Sequence, residues 1–508
     1  MVPLTLAAIA DAVGGVLHDV PDPDVAVTGT VEFDSRELGP GGLFLALPGA
    51  RTDGHDHAAA AVAAGAVAVL AARPVGVPAV VVTPTEADRA QAAQSHAMAL
   101  EHDVTGSGVA VLGALARLAR LSVDRLAAAG SADGSRAGLT VIGVTGSSGK
   151  TSTKDLLAAV LAPLGPTVAP PGSFNNELGH PWTVLRAGVD TRFLVLELSA
   201  RGPGHIAALA AIAPPRIGVV LNVGTAHLGE FGSRETIAQT KGELVAALPP
   251  DGLAVLNADD PLVLGMAART RARICLVGTA EKADIRAVDV RTDELARPRF
   301  TLVCPAGRAD VALAVHGEHQ VGNALAAAAV ALECGASLEQ VVTALGGASP
   351  ASRRRMDVRT RGDGVTVIND SYNANPDSVR AALKALVTMA RSTAPARRTW
   401  AVLGEMGELG ADSVVEHDGV GRQVVRLAVD RLIVVGDSRP AHAMHHSAVL
   451  EGSWGGESVL VPDPDAALAL LHAELAPGDL VLVKASQAEG LWSVAETLTA
   501  ETLTGGVR

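Results

Sequence analysis

The chain alternates between two hydrophobic patterns, and their order sets the architecture. Short, almost continuous apolar runs bounded by turn residues read as strands buried on both faces, and longer Ala-rich stretches between them read as helices. Early in the chain LFLAL (43–47), AVAVL (66–70) and AVVVT (79–83) carry the strand pattern, with an Ala-rich helix between the first two. Residues 84–107 are polar and lack a strong apolar period, so either a linker with a helical segment or an insertion is expected there. A helix is predicted over about 108–129, and SADGSRAG (131–138) is a loop by composition.

From Leu139 the pattern becomes strand–helix–strand. TVIGV (140–144), FLVLEL (193–198), IGVVLNV (217–223), LAVLNA (253–258) and ICLVG (274–278) predict a parallel sheet covered on both faces. Ala324 to Leu332 reads as a buried helix, and GGASP (346–350) as a boundary. VTVIND (365–370), TWAVLGE (399–405), LIVVGD (432–437) and LVLVKAS (480–486) then repeat the logic in a third unit. Three α/β domains are the economical reading for 508 residues.

Composition removes several classes of function. With 41 basic and 54 acidic side chains the net charge is −13, which argues against binding nucleic acid or anionic membranes through bulk charge. Only 6 Phe, 4 Trp and 1 Tyr are present, too few for base-stacking platforms. The three cysteines, Cys275, Cys304 and Cys334, are far apart and odd in number, which excludes a disulfide framework and fits a reducing compartment. The N-terminus has no basic segment and carries Asp11 inside its apolar stretch, unlike a signal peptide. The longest apolar run, Ala58 to Ala72, is too short and too Ala-rich to span a bilayer, so a cytoplasmic protein without membrane insertion is expected.

The strongest chemical motif runs from Val141 to Ser152: an apolar strand, a small-residue turn, then Lys150 and Thr151 opening a helix. Gly146, Ser147, Ser148 and Gly149 let backbone N–H groups close around phosphate oxygens, and the helix N-terminus adds favourable partial charge. Lys150 is expected to reach the β/γ-phosphates, and the Thr151 hydroxyl to coordinate Mg²⁺, with Ser152 beside it. The strict pattern wants glycine at position 144, where this chain has Val144. The bland alternative is an ordinary Gly-rich turn with a chance Gly-Lys-Thr.

Two more side chains sit just beyond strands. Glu197 closes FLVLEL, and His227 follows IGVVLNV, both where ligands bind in open α/β sheets. A carboxylate and an imidazole there suit Mg²⁺ sites, although Glu197 alone reads equally well as a capping or salt-bridged carboxylate and a lone histidine such as His227 is more often structural than a ligand. Lys241, 14 residues past His227, reads by itself as a solvated helix lysine.

Together these stretches resemble the ATP-dependent Mur ligases. The matching segments include DSRELGPGGLFLAL (34–47), TGSSGKTS (145–152), SFNNELGHP (173–181), ELSARGPGHI (197–206) and NVGTAHLGEFGSRETIAQTKGEL (222–244). GEHQVGNALAAAA (317–329), RRRMDV (353–358), NDSYNANPDS (369–378), LGEMGELG (403–410) and VKASQAEGL (483–491) continue the match. The resemblance implies a small α/β N-terminal domain with a linker (1–107) that binds the UDP-linked substrate. It implies a central P-loop parallel-sheet domain (108–348) for ATP, and a C-terminal Rossmann-like α/β domain (349–508) that closes over ATP and binds the acceptor.

The NDSYNANP form is similar to the dipeptide-adding branch of the family. That implies a carboxyl of UDP-N-acetylmuramoyl-tripeptide activated by ATP as an acyl phosphate, then joined to D-alanyl-D-alanine by a monomeric enzyme. By the same resemblance Thr151 and Glu197 bind one Mg²⁺ and His227 a second. Lys241 matches a lysine that becomes carbamylated. Asn323 and Arg355 match nucleotide contacts, and Asp370 matches a ribose-side contact. Asn175 and Asn176 are expected at the muramoyl-peptide, and Ser35 and Arg36 at the uridine end. One departure stands out: Lys484-Ala-Ser-Gln487 replaces the frequent Lys-Gly-Ser-Arg, and Gln487 cannot supply the arginine's charge. The competing readings are a sister ligase with another amino-acid acceptor, a P-loop kinase or NTP-driven switch, and a nucleotide-binding protein without catalysis.

Overall fold

The computed structural model describes residues 1–50, 52–94, 100–132, 138–224, 228–452 and 455–500. The chain forms two compact units, each made of more than one segment. The first consists of Met1–Gly143, Gly165–Ser199 and His205–Ile217, and the second of Val144–Leu164, Ala200–Gly204 and Gly218–Arg508.

In the first unit a five-stranded sheet has the order Val16–His18, Ala79–Val81, Ala66–Ala71, Gly42–Leu45 and Val31–Glu32. Only the pair formed by Val16–His18 and Ala79–Val81 is antiparallel. The three strands expected from apolar runs are its centre. The Ala-rich run does divide into a helix, Ala58–Ala63, and a strand, Ala66–Ala71. Gly65 makes the turn with φ +115°, and a Cβ there would lie 3.0 Å from the Cα of Pro40, so both conformation and space call for glycine.

The polar stretch after residue 84 contains a helix, Glu86–Gln94, and the long helix Ser107–Ala132 follows. Three of the chain's few aromatics meet in this unit: Phe174 lies 4.6 Å from Trp182 and Phe33 5.9 Å from it, centroid to centroid. The Trp182 indole N–H donates to Glu32 Oε2 at 3.1 Å, as a buried indole requires.

In the second unit the strands Leu253–Asn257 and Arg273–Gly278 pair in parallel, as expected. The sheet then departs from the sequence expectation. Ile285–Thr292 is followed by Pro298–Cys304 and Gly307–Ala312 in an antiparallel meander. Along Pro298–Cys304 buried residues alternate with more exposed ones, the signature of a sheet with one wet face. Arg299, Thr301 and Val303 stand on that face, so the strand lacks the continuous apolar run that marks a doubly covered strand.

The last part of this unit is a six-stranded sheet in the order Asp357–Thr360, Thr366–Asn369, Leu480–Lys484, Thr399–Leu403, Arg431–Val435 and Ser458–Val461. All pairs except the first are parallel. Two apolar cores are assigned to it, one around Leu386, Leu403 and Leu482 and the other around Trp400, Val483 and Leu498. Trp400 is 1 % exposed and its indole N–H donates to Asp479 Oδ2 at 2.9 Å. Trp400→Ala therefore leaves a cavity and removes one of the hydrogen bonds to Asp479, whose Oδ2 still accepts from Arg398 and the Ala476 N–H. It is expected to cost roughly 3–5 kcal/mol, read as a lower thermal unfolding midpoint, with Trp400→Phe losing less.

Candidate active site

The phosphate loop is held in place by local geometry. The strand Thr140–Thr145 is buried through Thr145, which explains why Val144 replaces the motif's glycine: its side chain is fully buried in the strand. Gly149 ends the loop with φ +82°, and a Cβ there would fall 2.7 Å from Asn323 Oδ1, so the loop passes tightly by that asparagine. The helix Lys150–Leu161 begins at the next residue.

Asn222, which sequence reading left without a role, pins the loop. Its carbonyl accepts Ser147 N–H at 3.1 Å, its Oδ1 accepts Ser148 N–H at 3.0 Å, and its Nδ2 donates to Ser148 O at 3.2 Å. Ser147 Oγ in turn accepts Gly224 N–H at 2.9 Å. An asparagine two residues past a buried strand was the available signal.

The two residues after the glycines point differently. Lys150 Nζ donates to Gly146 O at 2.7 Å, across the mouth of the loop. Thr151 is 3 % exposed, and its Oγ1 accepts from Arg355 Nη2 at 3.2 Å, so the structure brings to the loop the arginine expected at the nucleotide. Asn323 is buried one helix away, donating to Gln320 Oε1 at 2.8 Å. Ser152 follows on the same helix as Thr151.

Arg355 belongs to a segment that the helix also holds. Ser352 donates its N–H to Asp155 Oδ2 at 3.0 Å and its hydroxyl to Asp155 Oδ1 at 3.2 Å, and Lys154 Nζ reaches Ser352 Oγ at 3.2 Å. The Arg355 guanidinium lies 4.2 Å over the Tyr372 ring. Asp370 uses both carboxylate oxygens within the protein, Oδ1 accepting Met356 N–H at 3.1 Å and Oδ2 accepting from Lys484 at 2.6 Å.

Lys241 is not the solvated lysine that its isolated sequence suggested. It lies buried on the helix Arg234–Ala246. Burial, followed by the positive charge of Lys150, pushes its pKa well below the ordinary lysine value. The two amines therefore share one electrostatic environment.

The remaining described candidates lie in the first unit. Glu197 is fully buried at the end of the strand Phe193–Glu197, and its Oε2 accepts from Ser173 Oγ at 3.2 Å and Asn175 Nδ2 at 3.3 Å. Behind it His180 is buried with Nδ1 3.5 Å from Glu197 O, and burial holds its pKa down to about 4, so the imidazole is neutral near pH 7. Asn176 Oδ1 accepts Gly179 N–H at 2.9 Å and shapes the turn after Asn175. Arg36 is largely exposed and grips Asp34 with Nε–Oδ1 2.9 Å and Nη2–Oδ2 2.6 Å, which brings the Asp34 pKa down to about 2. Ser35 stands half-buried between them. His227 lies outside the described residues.

Comparison with known proteins decides the family. Residues 29–120 match the Mur ligase family catalytic domain, 144–331 the Mur ligase middle domain and 354–487 the Mur ligase glutamate ligase domain. A protein of Mycobacterium bovis named UDP-N-acetylmuramoyl-tripeptide–D-alanyl-D-alanine ligase is 63% identical over 522 residues, covering 100% of both chains. The chain belongs to the Mur ligase family. An Escherichia coli Mur ligase of the same name is 32% identical, over 98% of this chain and 99% of its own. The crystal structure of MurF from Acinetobacter baumannii aligns with TM-score 0.79 at 29% identity, over 98% of this chain and 99% of that one. A Thermotoga maritima MurF ligase in complex with ADP aligns with TM-score 0.74 at 29% identity, over 94% and 99%. Mur ligases are ATP-dependent ligases of three α/β domains. No described helix is long and apolar enough to cross a membrane.

Proposed function

We propose that this Mur ligase joins D-alanyl-D-alanine to UDP-N-acetylmuramoyl-tripeptide with hydrolysis of ATP to ADP and phosphate, the last cytoplasmic step in making the pentapeptide precursor of peptidoglycan. The full-length 63% identity to the Mycobacterium bovis ligase carries this reading. The ADP complex of the Thermotoga maritima relative supports the nucleotide. In this reading residues 1–107 hold the UDP end, 108–348 carry ATP, and 349–508 deliver the dipeptide.

The chemistry divides into two transfers. The terminal carboxylate of the tripeptide attacks the γ-phosphate, a P–O bond forms as the bond to ADP breaks, and an acyl phosphate results. The free amine of the dipeptide then adds to the acyl carbon, and phosphate leaves from the tetrahedral adduct as the amine loses its proton. Both reactants are anionic, so preorganised positive charge does most of the work. Lys150 and Arg355 supply it from the protein, Gly146, Ser147, Ser148 and Gly149 cradle the phosphates, and Ser152, Asn323 and Asp370 complete the nucleotide's surroundings. Asn175 and Asn176 orient the muramoyl-peptide, and Ser35 and Arg36 the uridine end.

Mg²⁺ fits the donor chemistry. Thr151 offers a hydroxyl and Glu197 a buried carboxylate, both hard oxygen donors, with His227 and a carbamylated Lys241 as further ligands. Among the described residues no group of three or more His, Cys, Asp or Glu is placed to hold a metal; Mg²⁺ usually keeps several waters and shares phosphate oxygens. When bound, Mg²⁺ neutralises charge on the transferring phosphoryl group.

Purified protein with UDP-N-acetylmuramoyl-tripeptide, ATP and Mg²⁺ is expected to release phosphate only after D-alanyl-D-alanine is added, with one pentapeptide formed per phosphate. Release with diaminopimelate instead would transfer the assignment to a sister ligase, and phosphate on a hydroxyl acceptor would indicate a kinase.

A further inference from the structure

Lys484 is the last residue of the strand Leu480–Lys484 and is 2 % exposed. Its ammonium has three protons, and the structure gives it three acceptors: Asp370 Oδ2 at 2.6 Å, Asn373 O at 2.9 Å and Asp370 O at 3.4 Å. The other oxygen of the same carboxylate accepts Met356 N–H at 3.1 Å. Asp370 therefore stands between a buried cation and one backbone amide.

That amide belongs to an unusual turn. Arg354 and Met356, on either side of Arg355, have φ +60° and +50°, the left-handed region that side chains with a Cβ enter only when neighbours hold them there. Two backbone ties and one stacking contact join this turn to the segment Asp370–Asn373: Met356 N–H on Asp370, Tyr372 N–H on Arg354 O at 3.2 Å, and the Arg355 guanidinium over the Tyr372 ring. The Arg354 side chain is held separately by Glu496 and Trp492. Asp370, Tyr372 and Asn373 all lie in the segment on which Lys484 converges. The turn aims Arg355 at Thr151 Oγ1 of the phosphate loop.

We propose that Lys484 is a positioning residue for Arg355: by clamping the segment Asp370–Asn373 it holds the left-handed turn Arg354–Met356, and so directs the guanidinium to the nucleotide phosphates. The inference rests on the proposed ligase reading and on the phosphate-facing role of Arg355. It also gives a use to the lysine of the Lys484-Ala-Ser-Gln487 motif that does not depend on the missing arginine. A neutral side chain at position 484 leaves the Asp370 carboxylate buried without its cation, and the carboxylate then reorients or takes up a proton. Either change loosens the Met356 tie.

A double-mutant cycle tests the coupling, with kcat/KM for ATP in dipeptide-dependent phosphate release as the readout. Lys484→Met is expected to lower it by about 30-fold, as is usual for a lost supporting contact behind a catalytic group. Arg355→Ala is expected to lower it further, and the double variant to fall within about threefold of Arg355→Ala alone, because the lysine acts through that arginine. Losses that multiply, with Arg355→Ala itself impaired, would overturn the positioning role and leave the ligase reading intact. Wild-type kcat/KM in Lys484→Met would overturn it too. Wild-type kcat/KM in Arg355→Ala would remove both the arginine's role and the inference, and no dipeptide-dependent release by the unaltered protein would sink the ligase reading. If Lys484→Met does not accumulate in soluble form, Lys484→Gln, which keeps one donor in place, enters the cycle with the same expectations.

Discussion

Lys150→Ala is expected to reduce dipeptide-dependent phosphate release by on the order of 10³-fold, about 4 kcal/mol of transition-state stabilisation. The side chain is a mobile point charge placed at the phosphate loop's own carbonyl, 2.7 Å from Gly146 O, from which a short swing brings it onto phosphate oxygens. Its contribution grows as charge moves onto the leaving and transferring oxygens, so kcat falls more than ATP affinity does. The loop itself survives the substitution. Asn222 still holds Ser147 and Ser148, and the helix still presents its N-terminal amides. Lys150→Arg is expected to recover little, because a planar guanidinium does not fit a loop shaped around a compact ammonium. Steady-state kinetics with tripeptide and dipeptide substrates checks this, and unchanged turnover in Lys150→Ala would take the lysine out of the mechanism.

The phosphate loop was legible in the sequence because its parts are contiguous: strand, glycines, lysine and helix occupy one dozen positions, and their local geometry is dictated by local chemistry. The residues that brace it were not. Asn222 reaches Ser148 across 74 positions and Lys484 reaches Asp370 across 114, and no pattern in a single chain announces such pairs. Lys241 shows the same limit from the other side. A lysine in Gln239-Thr-Lys-Gly-Glu243 looks solvated until packing buries it, and only then does its chemistry change. In the fold, strands buried on both faces were readable as unbroken apolar runs. The meander from Ile285 to Ala312 was hidden, because a sheet with one wet face sets polar residues such as Arg299 and Thr301 among the apolar ones and so breaks the run.

Lys241→Ala is expected to lower turnover by about 100-fold or more, of the size found when groups supporting a metal site are removed. A buried ammonium beside Lys150 meets both desolvation and like-charge repulsion, and both effects favour the neutral amine. In sign, a lysine pKa depressed in the folded state means that the unfolded chain binds more protons, so this group makes stability rise with pH between its folded pKa and the ordinary lysine value. The neutral amine is also the form that reacts with carbon dioxide: a new N–C bond forms, the amine proton passes to solvent, and a carbamate anion replaces the cation. Repulsion from Lys150 then becomes attraction, and a carboxylate-like oxygen donor becomes available to Mg²⁺. Short carboxylates such as formate or acetate are expected to restore part of the activity of Lys241→Ala, since they fill the space with the same charge. Protein equilibrated with ¹³C-bicarbonate is expected to show one bound carbamate carbon that Lys241→Ala lacks. Absence of both the rescue and the labelled carbon would leave Lys241 as a buried structural amine.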